Sequence, residues 1–230
     1  MVRMNQKFFS YSYLKAKLIF IQIIQRVIFF GTGLLIEKRM NKLTQQDIYK
    51  ILLKVRRGDI LLMGIFHEAT SLLIPGALTH SGLYVGRRKV IHAIAPMVQY
   101  AYLHDLLKHY DTFAILRIPR ATKRRLRIIR KTIRFAKQMV GKPYGFDADS
   151  TIRGKFFCTE LINKAYRQAG YKTKLKSLKP FLTFFEKIEK IFITARKALL
   201  PSEFLYGNFE VVFLSHNLEL RGKKLVLKEY

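Results

Sequence analysis

The sequence predicts an α+β fold in which an antiparallel sheet packs against helices, preceded by a hydrophobic N-terminal helix. Short apolar runs bounded by Gly and Pro are typical of strands, and two of them flank Gly86-Arg87-Arg88 as a hairpin would. Three segments after residue 120 repeat apolar residues at helical spacing. With 230 residues, half of them apolar, the chain has the length for one domain and an appendage.

The N-terminal helix is predicted from residues 18–36, which are almost wholly apolar and close to bilayer-spanning length. Arg26 lies near their centre, where insertion costs roughly 2.5–3.5 kcal/mol. Lys15, Gln22 and Arg26 recur at helical spacing as a polar stripe. The segment is therefore an interfacial amphipathic anchor, an uncleaved membrane anchor or a helix packed on the protein. No small-residue cleavage site follows, so we expect no cleaved signal peptide and a membrane-associated or cell-envelope location.

The elements after the N-terminal helix follow from caps, alternation and glycine. Thr44 caps a helix over residues 43–57, with Ile48, Ile51 and Leu52 on its inner side. Further helices are predicted over residues 121–140, 159–169 and 180–199. The predicted strands are Ile60–Met63, His80–Val85, Lys89–Ile94, Thr112–Arg117 and Phe209–Leu214.

Charge points to an anionic partner. The chain has 43 Lys and Arg against 15 Asp and Glu. The 121–140 helix carries eight of these cations and no acid. A solvated face explains its pattern but not the missing acids, whereas a face that meets anionic lipid or another polyanion explains both. No nucleic-acid-binding module is visible, so we expect an anionic membrane surface rather than a nucleic acid. The inner stripe is predicted as Leu126, Ile129, Ile133, Ala136 and Val140.

Cys158 is the only cysteine, which excludes an intramolecular disulfide and a zinc site built on several thiolates. It stands where a loop meets the predicted 159–169 helix. A helix N-terminus lowers a thiol pKa, and its free backbone N–H groups can hold an oxyanion. Cys158 is therefore a candidate nucleophile.

His80 and His92 are the candidate partners of this thiol. If residues 86–88 form a three-residue loop, His92 lies opposite Gly82, and the two histidines share one face about 7–8 Å apart. A two-residue loop would separate them unless a bulge intervened. The small Gly82 leaves that face open for a partner such as the helix that carries Cys158. No histidine or carboxylate spacing indicates a metal site, and we expect no cofactor.

Four motifs occur together in order: Gly58-Asp59-Ile-Leu, His80-Ser-Gly-Leu-Tyr-Val-Gly86, Val90-Ile-His92 and Phe157-Cys158-Thr-Glu-Leu161. Over residues 55–215 the chain resembles the circularly permuted branch of the NlpC-type papain-like cysteine peptidase superfamily. That branch includes bacterial permuted amidases and the lecithin:retinol acyltransferase group. The resemblance implies a permuted papain-like fold, in which the histidine strand precedes the cysteine helix.

The resemblance also implies roles for the site residues. Cys158 would be the nucleophile, His80 the general base and His92 the third, orienting residue. Tyr144, in Gly-Lys-Pro-Tyr, is a candidate substrate contact and equally a candidate core aromatic. The expected domain layout is an N-terminal helical segment over residues 1–45, a catalytic domain over 46–217 with a helical insertion around 172–200, and a basic tail over 218–230.

The expected activity is acyl transfer through an acyl-enzyme on Cys158. A thiol hydrolase that cleaves amide bonds, as an amidase or peptidase acting on peptidoglycan peptides or related amides, is the first hypothesis. A membrane-surface lipid esterase or acyltransferase is the second, and a non-catalytic binding member is the third. His92 stands where many bacterial members have Glu and the acyltransferase group has His, while Cys-Thr-Glu-Leu resembles the bacterial amidases. The sequence therefore leaves the substrate open between an amide and a lipid ester.

Overall fold

The computed structural model describes residues 42–65, 77–143, 158–175, 199–222 and 224–228. Within them, a six-stranded sheet has the order β4-β3-β2-β1-β5-β6, and every neighbouring pair is antiparallel. A two-stranded sheet, β7-β8, follows it. The strands are β1 Ile60–Gly64, β2 His80–Gly86, β3 Lys89–Ile94, β4 Met97–Tyr102, β5 Thr112–Arg117, β6 Glu210–Leu214, β7 Leu218–Arg221 and β8 Lys224–Leu227.

Helices cover both faces of the large sheet, so β1 at its centre is buried along its whole length. One apolar core holds side chains of α1 and α2, and the other holds side chains of α3, α4 and a short 3-10 helix. The confirmed fold is thus an antiparallel sheet packed against helices. The predicted N-terminal helix lies outside the described residues. The helices are α1 Gln45–Lys54, α2 Leu103–His109, α3 Arg125–Met139, α4 Cys158–Gln168 and the 3-10 helix Pro201–Tyr206.

The hairpin of β2 and β3 has the register that the sequence predicts, because Gly82 pairs with His92. Of the two loop lengths that the sequence left open, the structure has the two-residue loop with a bulge. Arg87 and Arg88 both have positive φ, as in a two-residue hairpin turn. A β-bulge between Tyr84 and Gly86 supplies the extra residue that restores the pairing. The bulge therefore keeps both histidines on one face.

Two residues that were predicted on the buried sides of helices are exposed, so these two predictions are wrong. Leu126 is 69% exposed, because the buried stripe of α3 runs through Ile128 and Thr132 and turns Leu126 outward. Leu52 of α1 is also exposed. That helix instead turns Asp47 inward, where its carboxylate caps the helix together with Thr44 and bonds His216 Nδ1 at 2.6 Å.

A buried ion pair supports the sheet at the edge where β1 begins and β5 ends. The Arg117 guanidinium donates two hydrogen bonds to the Asp59 carboxylate, at 2.7 and 2.8 Å. The same guanidinium donates to the Lys54 carbonyl at 2.6 Å. The Tyr166 hydroxyl donates to the carbonyl of Gly58, which ties α4 to the same edge. The Gly58-Asp59 motif thus joins the sheet to both helical layers.

The remaining segments bear on the predicted domain layout. The 218–230 tail contains the β7-β8 hairpin, with Leu218 buried against the core. Most of the 172–200 insertion, including the predicted 180–199 helix, lies outside the described residues, as does the 1–45 segment up to residue 41. Within the described ranges, no helix combines the length and apolar character needed to cross a bilayer.

Candidate active site

His80 and His92 lie in direct contact at the edge of the sheet where β2 begins. Nε2 of His80 and Nδ1 of His92 are 2.9 Å apart, within hydrogen-bonding distance. The two rings meet edge to face, with their centroids 5.1 Å apart. The predicted pairing of these two histidines is therefore present in the structure.

Both imidazoles are held neutral near pH 7. Burial lowers the pKa of His80 well below its ordinary value, and the nearby His92 and His109 lower it further. Burial lowers the pKa of His92 to about 4. Since both rings are uncharged, one ring donates the shared hydrogen bond and the other accepts it. The Nε2 atom of His92 is buried and has no hydrogen-bond partner among the described residues.

Tyr110, just after α2, holds the other side of His80. Its ring is nearly parallel to the imidazole, with an interplanar angle of 4° and centroids 5.8 Å apart. His109 packs edge to face against the same tyrosine ring. The His80 ring is thus fixed by His92 at one edge and by Tyr110 on one face.

Cys158 is buried as the first residue of α4. Burial raises the pKa of its thiol, whereas contacts with the side chain and backbone of Ser81 and the backbone of Thr159 lower it. The Ser81 hydroxyl has no partner of regular hydrogen-bond geometry in the described part of the chain. Its approach to the thiol is therefore a weak, irregular contact. Burial is the largest of these effects and leaves the pKa of the thiol above its ordinary value, which favours the protonated thiol over a thiolate.

The thiol and the imidazoles approach β2 from its two opposite faces. His80, Gly82 and Tyr84 alternate with Ser81 along the strand, and Tyr84 and Tyr110 belong to the core of α1 and α2. The expectation that the helix of Cys158 fills the space at Gly82 is therefore wrong: α4 packs on the face of Ser81. The Val90 side chain occupies the space at Gly82, since a Cβ built on that glycine would lie 2.6 Å from it.

The start of β2 and the start of α4 nevertheless lie close together. His80 is the first residue of β2, and Cys158 is the first residue of α4. Ser81, which the thiol contacts, is the chain neighbour of His80. Among the hydrogen bonds of the described residues, none joins the Cys158 sulfur to an imidazole, and His80 Nδ1 has no partner there. The structure thus brings the two histidines together and places the thiol beside the next residue.

One predicted site residue remains, the candidate substrate contact Tyr144. Tyr144 lies outside the described residues. In the described part of the chain, no three His, Cys, Asp or Glu side chains form a group that could hold a metal ion. Sequence reasoning missed Ser81 and Tyr110. A small polar residue next to His80 was a usable signal for Ser81, whereas Tyr110 depends on the position of a helix that was not predicted.

Comparison with known proteins identifies the family and the fold of the chain. A family model described as the permuted papain-like amidase enzyme, YaeF/YiiX, C92 family, matches residues 54–209. A crystal structure described as metalloprotein yiiX from Escherichia coli O157:H7 is similar in fold, with a TM-score of 0.57 and 21% sequence identity. The similarity covers 70% of this chain and 97% of that one. No curated protein matches the sequence.

The match extends over more than half of the chain and spans the hairpin of His80 and the helix of Cys158. The chain belongs to the permuted papain-like amidase family. It therefore has the scaffold of a cysteine-type amidase or peptidase. The permuted papain-like fold expected from the four motifs is confirmed.

Proposed function

We propose that the protein hydrolyses amide bonds through an acyl-enzyme on Cys158, with His80 as general base and His92 as the residue that orients it. One observation carries the proposal: Nε2 of His80 lies 2.9 Å from Nδ1 of His92, while Nδ1 of His80 has no partner among the described residues. A histidine that acts as general base needs one ring nitrogen to accept the proton of the nucleophile and a hydrogen bond on the other nitrogen to orient the ring. In His80, Nδ1 can serve the first purpose and Nε2 the second.

The tautomers of the two histidines follow from these roles of the two His80 nitrogens. His80 Nδ1 can accept the thiol proton only if its neutral ring carries hydrogen on Nε2. That N–H then donates to His92 Nδ1, so His92 carries its own hydrogen on Nε2. When His80 becomes an imidazolium, the same hydrogen bond stabilises the charge, and the parallel Tyr110 ring offers its π face. His92 thus acts through His80 rather than on the substrate.

The reaction begins from a neutral pair. His80 Nδ1 removes the proton from the Cys158 thiol as sulfur attacks the amide carbonyl carbon. The C=O bond opens to a tetrahedral oxyanion, and its collapse breaks the C–N bond as His80 returns the proton to the leaving amine. Water then attacks the thioester with its proton passing to His80, and collapse of the second tetrahedral intermediate releases the carboxylic acid and restores the thiol.

The start of α4 supplies the groups that would stabilise each oxyanion. The first backbone N–H groups of a helix have no partner within it. Those of Cys158 and Thr159 already lie close enough to the sulfur to lower its pKa. A carbonyl bonded to this sulfur would place its oxygen near the same N–H groups. For the reaction, the thiol must reach His80 around the end of β2, past Ser81.

The test is hydrolysis of matched amides and esters by the full chain. We expect turnover of peptide amides, with peptidoglycan-derived stem peptides as the first panel. Cys158→Ala should abolish that turnover. His80→Asn should lower kcat by about 10²–10⁴-fold, the usual contribution of a general base. His92→Gln, which can still accept from His80 Nε2, should retain more activity than His92→Leu.

Each alternative has its own result. Turnover of phospholipid esters with no turnover of any amide would support the lipid esterase or acyltransferase and overturn the amidase. Amide turnover that survives in Cys158→Ala would refute the nucleophile assignment. A folded protein that turns over neither panel, and whose thiol no amide-based electrophile labels, would be a binding member of the family.

A further inference from the structure

The outer surface of α3 is a continuous stripe of positive charge. All of the Lys and Arg side chains from residue 123 to residue 137, apart from the half-buried Arg125, are exposed. No acidic residue occurs between residues 120 and 143. The exposed cations are Lys123, Arg124, Arg127, Arg130, Lys131, Arg134 and Lys137.

These side chains share one side of the helix. At 100° per residue, Arg127, Arg130, Lys131 and Arg134 fall within an arc of about 100°, opposite the buried stripe. The stripe is about 20 Å long, since each residue of a helix adds about 1.5 Å. The neighbouring α4 packs alongside α3 and adds exposed cations at Lys164 and Arg167. Glu160, half-buried, is the single acid of the described α4 residues.

Like charges at this spacing repel one another and destabilise an isolated helix. Arg125 anchors the helix through a hydrogen bond from Nε to the carbonyl of Ile118, whereas the exposed Lys and Arg side chains of residues 123–137 make no ion pair with any described residue. An external polyanion would relieve this repulsion.

We propose that the outer face of α3 and α4 docks on an anionic lipid bilayer. Leu126, 69% exposed, stands beside the cations, and an apolar side chain gains free energy by entering lipid but not by contacting a phosphate backbone. Tyr166 and Tyr171 of this region are buried, so the described part of the face offers no exposed ring for base stacking. The two helices present a broad surface, which fits a plane of headgroups.

Docking in this way would hold the candidate active site beside the membrane. The C-terminal end of α3 reaches the sheet edge where β4 begins, through backbone hydrogen bonds between Val98 and both Gly141 and Lys142. α4 begins at Cys158 and runs back along α3 from that same edge. The basic face does not depend on the proposed amidase activity, because none of its cations belongs to the candidate site.

Co-sedimentation with vesicles tests the docking face in the full chain. The vesicles are phosphatidylcholine alone, or equal parts of phosphatidylcholine and phosphatidylglycerol. The triple variant Arg127→Gln, Arg130→Gln, Arg134→Gln should bind the anionic vesicles about 100-fold more weakly, since each cation near the surface contributes roughly fivefold. The matched control changes the same charge on the opposite helical layer: Lys50→Gln, Lys54→Gln, Lys108→Gln. It should bind as the wild type does.

Several outcomes would overturn the proposal. Equal loss in both triple variants would mean that only net charge matters, and a loss confined to the control would assign the lipid face to α1 and α2. If the α3 triple variant binds vesicles normally but no longer binds a duplex oligonucleotide, the face is a nucleic-acid surface. Hydrolysis of a soluble amide should be unchanged in the α3 variant, so failure of docking and failure of the amidase proposal are distinguishable.

Discussion

His92 should make the stability of the protein depend on pH between about pH 7 and pH 4. Burial lowers the pKa of its imidazole from 6.5 to about 4. The unfolded chain, with the ordinary pKa, therefore binds a proton first as the pH falls. Stability that is fully present above pH 6.5 is lost progressively as the pH falls through the folded-state pKa.

The size of the loss follows from the same shift. A shift from 6.5 to about 4, at 1.36 kcal/mol for each pKa unit, corresponds to about 3 kcal/mol in the free energy of unfolding. That is a large share of the 5–15 kcal/mol typical of a whole domain. Below about pH 4 both states carry the proton and the loss levels off.

Urea denaturation measured at a series of pH values tests this expectation. The chain has no Trp, so its 12 tyrosines and its circular dichroism report unfolding. His92→Gln removes this titration while its side-chain oxygen can still accept the hydrogen bond from His80. As the pH falls from about 7 to about 4, the wild type should lose about 3 kcal/mol of unfolding free energy relative to the variant. A difference that stays constant across this range would refute the assignment of His92 as a buried neutral ring.

Two further predictions concern the scaffold and are measured by the same denaturation experiment. Arg117→Leu should destabilise the protein by about 3–5 kcal/mol, because it leaves the buried Asp59 carboxylate without its partner. Arg167→Leu, an exposed control on α4, should change stability by less than about 0.5 kcal/mol, and equal effects of the two changes would contradict the role of the ion pair. Gly64→Ala should cost about 1–3 kcal/mol or more, since its Cβ would stand 2.0 Å from the Ala77 carbonyl oxygen. An unchanged unfolding midpoint would contradict this expectation, because it would mean that the backbone at Ala77 moves away from the new methyl group at little cost.

The parts of the candidate site that depend on local sequence, the hairpin register and the start of α4, could be predicted. Strand alternation and the position of the turn predicted the pairing of Gly82 with His92. The structure reaches this pairing through the second alternative, a two-residue loop with a bulge. The start of α4 followed from the change of pattern at Cys158. Neither inference needed a long-range contact.

Long-range placement was less predictable. Both faces of β2 are buried, so the alternation of its residues could not say which face packs on α4 and which packs on α2. The edge strand β4, Met97–Tyr102, buries only Val98 completely, and its weak alternation gave no strand signal. Tyr110 could be assigned to His80 only after α2, Leu103–His109, had been located. The contact between Tyr110 and the His80 ring therefore came from the structure.

Acylation of the single thiol tests the central claim most directly. The full chain is mixed with p-nitrophenyl acetate, and the release of nitrophenolate is followed together with the intact mass of the protein. We predict a rapid burst with one acetyl group on Cys158 as a hydroxylamine-sensitive thioester, slowed about 10²-fold or more in His80→Asn. Cys158→Ala controls for acetylation of lysines. Acetylation of Cys158 at the same rate in wild type, in His80→Asn and in the urea-unfolded chain would contradict an activated nucleophile.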